Sequence, residues 1–160
     1  MREIPMEKQE EYLEIKSISP QDLVDIIYKE ESLPQDNRFL STDKGGVFKY
    51  FDPRDLSENA ENKAYSIVKN KQEIVALGEL EKSLDNSDIY WIKFLSVDPK
   101  YQGRGYASLL AEEFFKFAKE KNISLESSSY TNEGQQKLKA VFNKLAEKFG
   151  VNFIDSDRNI

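Results

Sequence analysis

The run Phe94-Leu95-Ser96-Val97-Asp98-Pro99-Lys100-Tyr101-Gln102-Gly103-Arg104-Gly105-Tyr106-Ala107 combines residue types and spacings that point to a definite chemistry. An apolar strand is expected to end at Val97, a glycine-bearing turn follows, and a helix is expected from Gly105. The first amides of a helix have no partner inside it, and the macrodipole adds partial positive charge at that end. Gly103 and Gly105 remove side chains that would hold an anion away from those amides. The run therefore reads as an anion cradle suited to a pyrophosphate. Two glycines by themselves would equally serve a tight strand-to-helix turn. Two commoner phosphate motifs fail: no Lys-Ser or Lys-Thr pair follows a glycine at Walker A spacing, and the fingerprint GxGxxG would need glycine where Ser108 stands.

The rest of the composition narrows what could act beside such a cradle. The 160 residues include neither cysteine nor histidine. That excludes disulfides, thiolate nucleophiles, Ser-His-Asp triads and zinc sites built on imidazole. Chemistry must fall to carboxylates, Tyr, Lys, hydroxyls or backbone amides, and no metal is expected. Lys and Arg total 23 against 29 Asp and Glu, a net charge of −6. Such a surface repels nucleic acid and fits a cationic partner better, although acidic surfaces often serve solubility alone. No apolar run approaches the ~20 residues of a membrane span, and the charged start MREIPMEKQEEY lacks the apolar core of a signal peptide. A cytoplasmic protein without a membrane partner is expected.

These residues need elements to position them. Residues 12–18 alternate as a strand, and Ser19-Pro20 should cap a first helix with the stripe Leu23, Ile26 and Ile27. Residues 32–62 hold turn signals and an aromatic island, a binding or mobile loop by its pattern; residues 31–62 hold seven acids and four bases, or −3 of the net −6. Strands are expected at 64–69, 73–81 and 89–97, then a helix over 105–121 whose Glu112 and Lys116 should pair on its wet side. A strand over 123–128 follows, then a helix capped by Asn132 and stopped at Gly150, and a short strand over 151–155. This order predicts one mixed α/β domain over residues 1–160, large enough to bury roughly 70% of its unfolded surface.

With its flanking elements, the turn resembles the GNAT acyltransferase superfamily. That family's acyl-coenzyme A motif, Q/R-x-x-G-x-G/A, is matched by Gln102, Gly105 and Ala107, and its strand-end pattern L-x-V-x-P by Leu95, Val97 and Pro99. The resemblance implies a mostly antiparallel central sheet with flanking helices and acetyl-CoA as co-substrate. It implies that the pyrophosphate rests on the amides of Gly103, Arg104, Gly105, Tyr106 and Ala107, helped by Ser108. The pantetheine arm should pair like an added strand with Leu95, Ser96 and Val97.

The reaction so implied is direct transfer of an acetyl group to a primary amine with both substrates bound, without a covalent enzyme intermediate. Here the sequence departs from the family. Asn132 matches the Asn that precedes a thiol-protonating Tyr by about seven residues, but Lys139 and Phe142 stand in that region. Tyr130 is the nearest replacement, and a loop-anchoring aromatic is the competing reading. Where some members carry a fourth-strand Glu as base, this chain has Trp91, which leaves Glu79, Glu81 and Glu126 as candidates. Each also reads as an ordinary solvated strand residue. The family's final strand pairing looks truncated beyond Asp155. The acids of residues 31–62 suggest a cationic acceptor such as a polyamine, an aminoglycoside-like molecule or a peptide amine, taken up by a monomer or homodimer. The alternative is a non-catalytic acyl-CoA-binding or regulatory module on the same fold.

Overall fold

Strand alternation and one glycine-bearing turn generate the architecture seen in the computed structural model, which describes residues 13–23, 25, 60–70, 73–127 and 133–155. Six strands form one sheet in the order β1 (Leu13–Ile18), β2 (Lys63–Asn70), β3 (Glu73–Lys82), β4 (Ile89–Val97), β5 (Ser124–Ser127) and β6 (Phe153–Asp155). The first four pair antiparallel, while β5 joins β4 and β6 joins β5 in parallel. Parallel neighbours need crossovers, supplied by helices α1 (Tyr106–Lys121) and α2 (Glu133–Phe149). The sheet is thus mixed and mostly antiparallel, as expected from the sequence.

Both helices lie on one face of the sheet. Ala111, Phe114, Phe115 and Ala118 of α1 and Phe142 and Leu145 of α2 bury against Leu80, Ile92 and Leu125. Helix α1 approaches β3 closely because residue 78 is glycine: a Cβ there would stand 2.8 Å from the Phe114 ring. Ser66 ties the same layers by donating from Oγ to the Leu110 carbonyl at 3.2 Å. Phe153 of β6 closes the far end against the rings of Phe115 and Phe142.

Several boundaries differ from expectation. Helix α1 begins at Tyr106, because Gly105 adopts a left-handed conformation and stands outside it as the cap. Glu112 does not pair with Lys116; it meets Lys148 of α2 at 3.2 Å, and Lys116 meets Glu113 at 3.5 Å. Packing of the two helices brings Lys148 within reach, so an interhelix contact displaces the local pair. Ser19 does cap helical residues 20–23, its Oγ accepting from the Asp22 N–H at 3.1 Å, and Leu23 is buried. Strand β5 starts at Ser124, one residue later than expected, with residue 128 outside the described residues, and β6 starts only at Phe153. Ile26, Ile27 and most of the acidic 31–62 segment lie outside the described residues.

Candidate active site

Two features of β4 open a path towards its C-terminal end. Strand β4 pairs with β5 only over Ile89–Trp91, although it continues to Val97 against β3. Among the described residues, the β5-side edge of β4 from Ile92 onward therefore has no strand partner. At the point of divergence Glu79 faces Phe94 while Leu80 faces Ile92, so Lys93 is an extra residue. Such a bulge bends its strand and increases local twist, which accounts for the parting of β4 from β5. A peptide-like chain can add to a strand edge where the strand has left its neighbour.

At the end of the strand the turn is held by short local bonds. The Asp98 N–H donates to the Val75 carbonyl at 2.8 Å, and Asp98 Oδ1 accepts from the Lys100 N–H at 2.9 Å. A single 3-10 turn, Pro99–Tyr101, follows. Gln102 Nε2 reaches back to the Val97 carbonyl at 3.4 Å. Gly103 and Gly105 have φ of +82° and +81°, and a Cβ built on either would meet nothing within 4 Å. Glycine serves the backbone conformation here and leaves open space above the turn.

The turn leads directly into α1. The first intrahelical bond runs from the Leu109 N–H to the Gly105 carbonyl at 3.2 Å, so the amides of Tyr106, Ala107 and Ser108 have no carbonyl partner in the helix. No acidic residue stands in the first turn, and Gly105 has no side chain to cap it. The local field is left positive. Arg104 sits with its guanidinium 5.1 Å from the Tyr101 ring centre, and Tyr101 stacks on Tyr106 at 6.0 Å. Open space, three unclaimed amides and a held cation fit the pyrophosphate of a coenzyme A.

The candidate proton-transfer residues separate into placed and unplaced groups. Tyr130 and Asn132 lie outside the described residues. Glu79 and Glu81 are on β3 and Glu126 is on β5, all on the sheet face away from α1 and α2, because their register partners Phe94 and Trp91 share that face. Glu81 and Glu126 flank Trp91, about 10 Å apart across two strand spacings. Leu95, Ser96 and Val97 lie on the terminal stretch of β4, with Ser96 buried.

Sequence reasoning passed over Lys63. Its Nζ lies 3.2 Å from Glu79 Oε2 and 3.1 Å from Glu81 Oε2, with side-chain exposures of 3% for Lys63, 8% for Glu79 and 38% for Glu81. Lys93 Nζ approaches Glu81 Oε1 at 3.8 Å from the bulge. Burial acts against the Lys63 ammonium, but its hydrogen bond to Glu81 and the charge of Glu79 outweigh that and raise its pKa above the ordinary lysine value. Strict alternation along β2 would have placed Lys63 on the face of Tyr65, but its partners depend on a register that sequence does not print.

Comparison with known proteins identifies the family to which this fold belongs. The profile described as the acetyltransferase (GNAT) family matches residues 25–146. No curated protein matches the chain. Among solved structures, the ribosomal-protein-S18-alanine N-acetyltransferase from Escherichia coli shares the fold at 16% identity and a TM-score of 0.53, over 83% of this chain and 76% of that one. The aminoglycoside acetyltransferase meta-AAC0020 from an uncultured soil metagenomic sample matches at 16% identity and 0.55, over 84% and 88%. AAC(6')-Iy, solved with the bisubstrate analog CoA-S-monomethyl-acetylneamine, matches at 14% identity and 0.52, over 92% and 95%. With the family profile spanning most of the strands and helices that build the turn, the chain belongs to the GNAT family of acetyltransferases.

Proposed function

We propose that this chain moves an acetyl group from acetyl-CoA to a primary amine by direct transfer while both are bound. The observation that carries this reading is the conjunction of the open, positive turn at residues 102–108 with the end of β4, which has parted from β5 after Trp91. When bound, acetyl-CoA supplies the activated acyl carbon as a thioester. The amides of Gly103 to Ser108 and the Arg104 guanidinium would hold its phosphates, and the backbone of Leu95, Ser96 and Val97 would align its pantetheine arm.

Positioning is the main contribution asked of the protein. Holding an amine against a thioester is worth effective molarities of about 10⁵–10⁸ M in well-oriented systems, and acid-base help adds about 10²–10⁴-fold. Glu79, Glu81 and Glu126 are the proposed proton acceptors for the amine, and Tyr130 the proposed proton donor to the departing sulfur. The solved structures of similar fold include an aminoglycoside acetyltransferase and a spermidine N-acetyltransferase chimera. Together with the net charge of −6, they support a cationic small-molecule or peptide amine as acceptor.

The test is release of free CoA thiol from acetyl-CoA against a panel of alkylamines, polyamines, aminoglycosides and peptide α-amines. Turnover with at least one amine and intersecting double-reciprocal plots are expected. Silence across the panel overturns the reading, and parallel plots would replace direct transfer with a covalent intermediate.

A further inference from the structure

Glu79 and Glu81 stand two residues apart on β3 and project from the same face. Two carboxylates so placed repel each other, and with one of them buried the fold needs a cation between them. Lys63 is that cation. It sits directly across from Glu81 in the β2–β3 register, while Glu79 faces Tyr65, so one ammonium reaches both carboxylates. An isolated ammonium at 3% exposure would be expelled or neutralised; two carboxylates keep it charged.

The three groups are unequal in access. Glu79 is enclosed and spends an oxygen on Lys63, whereas Glu81 is 38% exposed, its Oε2 on Lys63 and its Oε1 3.8 Å from the exposed Lys93 of the bulge. Resting on the transfer reading above, we propose that Lys63 is a positioning residue: it fixes the Glu81 carboxylate at the bulge as proton acceptor for the attacking amine, while Glu79 balances its charge. Glu81 removes one proton from the ammonium of the acceptor. The freed nitrogen pair forms the N–C bond, the C–S bond breaks, and its electron pair leaves on sulfur. Tyr130 gives its proton to that thiolate and is restored by the second proton shed by nitrogen, and the first passes from Glu81 to solvent. Among the described residues, the charged groups facing Glu81 are Lys63 on β2 and Lys93 on β4. Glu79 and Tyr65 surround Lys63, and Glu126 lies beyond Trp91.

The experiment is the pH dependence of kcat/KM for an amine found active in the panel, in the full chain and its Lys63→Met, Lys63→Arg, Glu79→Gln, Glu81→Gln and Glu126→Gln variants. Loss of the cation should move the acid limb of Lys63→Met to higher pH by roughly one unit, a tenfold rate difference on that limb. Lys63→Arg should restore the limb. Glu79→Gln, which gives Lys63 wholly to Glu81, should move it to lower pH. Damage to the scaffold alone would lower rates without moving the limb. If Lys63→Met does not fold, Glu79→Gln carries the decision, and an unmoved limb in either folded variant overturns the proposal. Loss of the limb in Glu81→Gln with no shift on changing Lys63 rejects the positioning role and leaves the carboxylate base standing. An unaltered limb in Glu81→Gln overturns the assignment of Glu81, whatever Lys63 does. If Glu126→Gln also leaves it unaltered, the base lies elsewhere.

Discussion

The turn at residues 102–108 and the strip formed by Lys63, Glu79 and Glu81 manage charge by opposite means. In the turn the positive field comes from backbone: three amides without helical partners at the start of α1, behind glycines at φ near +80°. In the strip it comes from one side chain, enclosed at 3% exposure and shared by two carboxylates. A backbone site is fixed by local dihedrals and requires no buried charge. A side-chain site requires full compensation within the fold, because every ion taken from water must find its partner there. The turn should therefore tolerate damage to stability and fail in binding, whereas the strip should fail in stability first.

The strip should give the largest effect. Lys63→Met leaves Glu79 buried against no cation, and breaking a buried pair from one side costs about 3–5 kcal/mol. Urea unfolding should show that loss. The double change Lys63→Met with Glu79→Met should recover most of it, since the enclosed charge is then gone while Glu81 keeps contact with water. If the single variant is as stable as the parent, the strip is not the compensated unit described above. The same pair has a pH signature. The pKa of Lys63 in the folded chain lies above its unfolded value, so its stabilisation is complete below about pH 10.4 and is lost as pH rises through the folded value. Unfolding free energy should fall on that alkaline side in the parent, and Lys63→Met should lose this component of the fall.

Gly105→Val tests the other region at intermediate size. A β-branched residue at φ +81° should cost about 1–2 kcal/mol in backbone strain. Its Cβ would enter open space at the turn, where, apart from its two chain neighbours, nothing lies within 4 Å. The binding consequence should exceed the stability consequence: KM for acetyl-CoA is expected to rise at least about tenfold while the variant remains folded at 25 °C. Equal acetyl-CoA affinity in a folded Gly105→Val would show that the phosphates rest elsewhere.

The contrast also explains which parts could be read from sequence. Ser19, Gly105 and Gly150 mark helix boundaries through local rules of capping and positive φ, and these are visible in a few consecutive letters. The cradle belongs to that class, since Gln102 to Ala107 are contiguous. The strip does not. Lys63 meets Glu79 and Glu81 only through the β2–β3 register, and Lys93 reaches Glu81 only because a bulge shifts β4 against β3. A slip of one residue in either pairing would send these side chains to the opposite face. The parting of β4 from β5 after Trp91 is equally non-local. Helix packing replaced one local expectation outright, drawing Glu112 to Lys148 and away from Lys116.

The smallest expected effect lies where the two means of holding charge meet, at Arg104. Its side chain is exposed and belongs to the turn, but the Tyr101 ring holds it at 5.1 Å and is itself stacked on Tyr106 at the first position of α1. A cation held over an exposed ring is worth about 0.5–1 kcal/mol, so Arg104→Ala should raise KM for acetyl-CoA by about two- to fivefold and leave kcat unchanged. Tyr101→Leu should reproduce part of that rise by freeing the guanidinium, and the double variant should add little beyond Arg104→Ala, because the ring acts through the cation. S-acetylpantetheine, which has no phosphate, should show no change in either variant. A similar loss with both donors would mean that Tyr101 and Arg104 support the fold of the turn and not its charge.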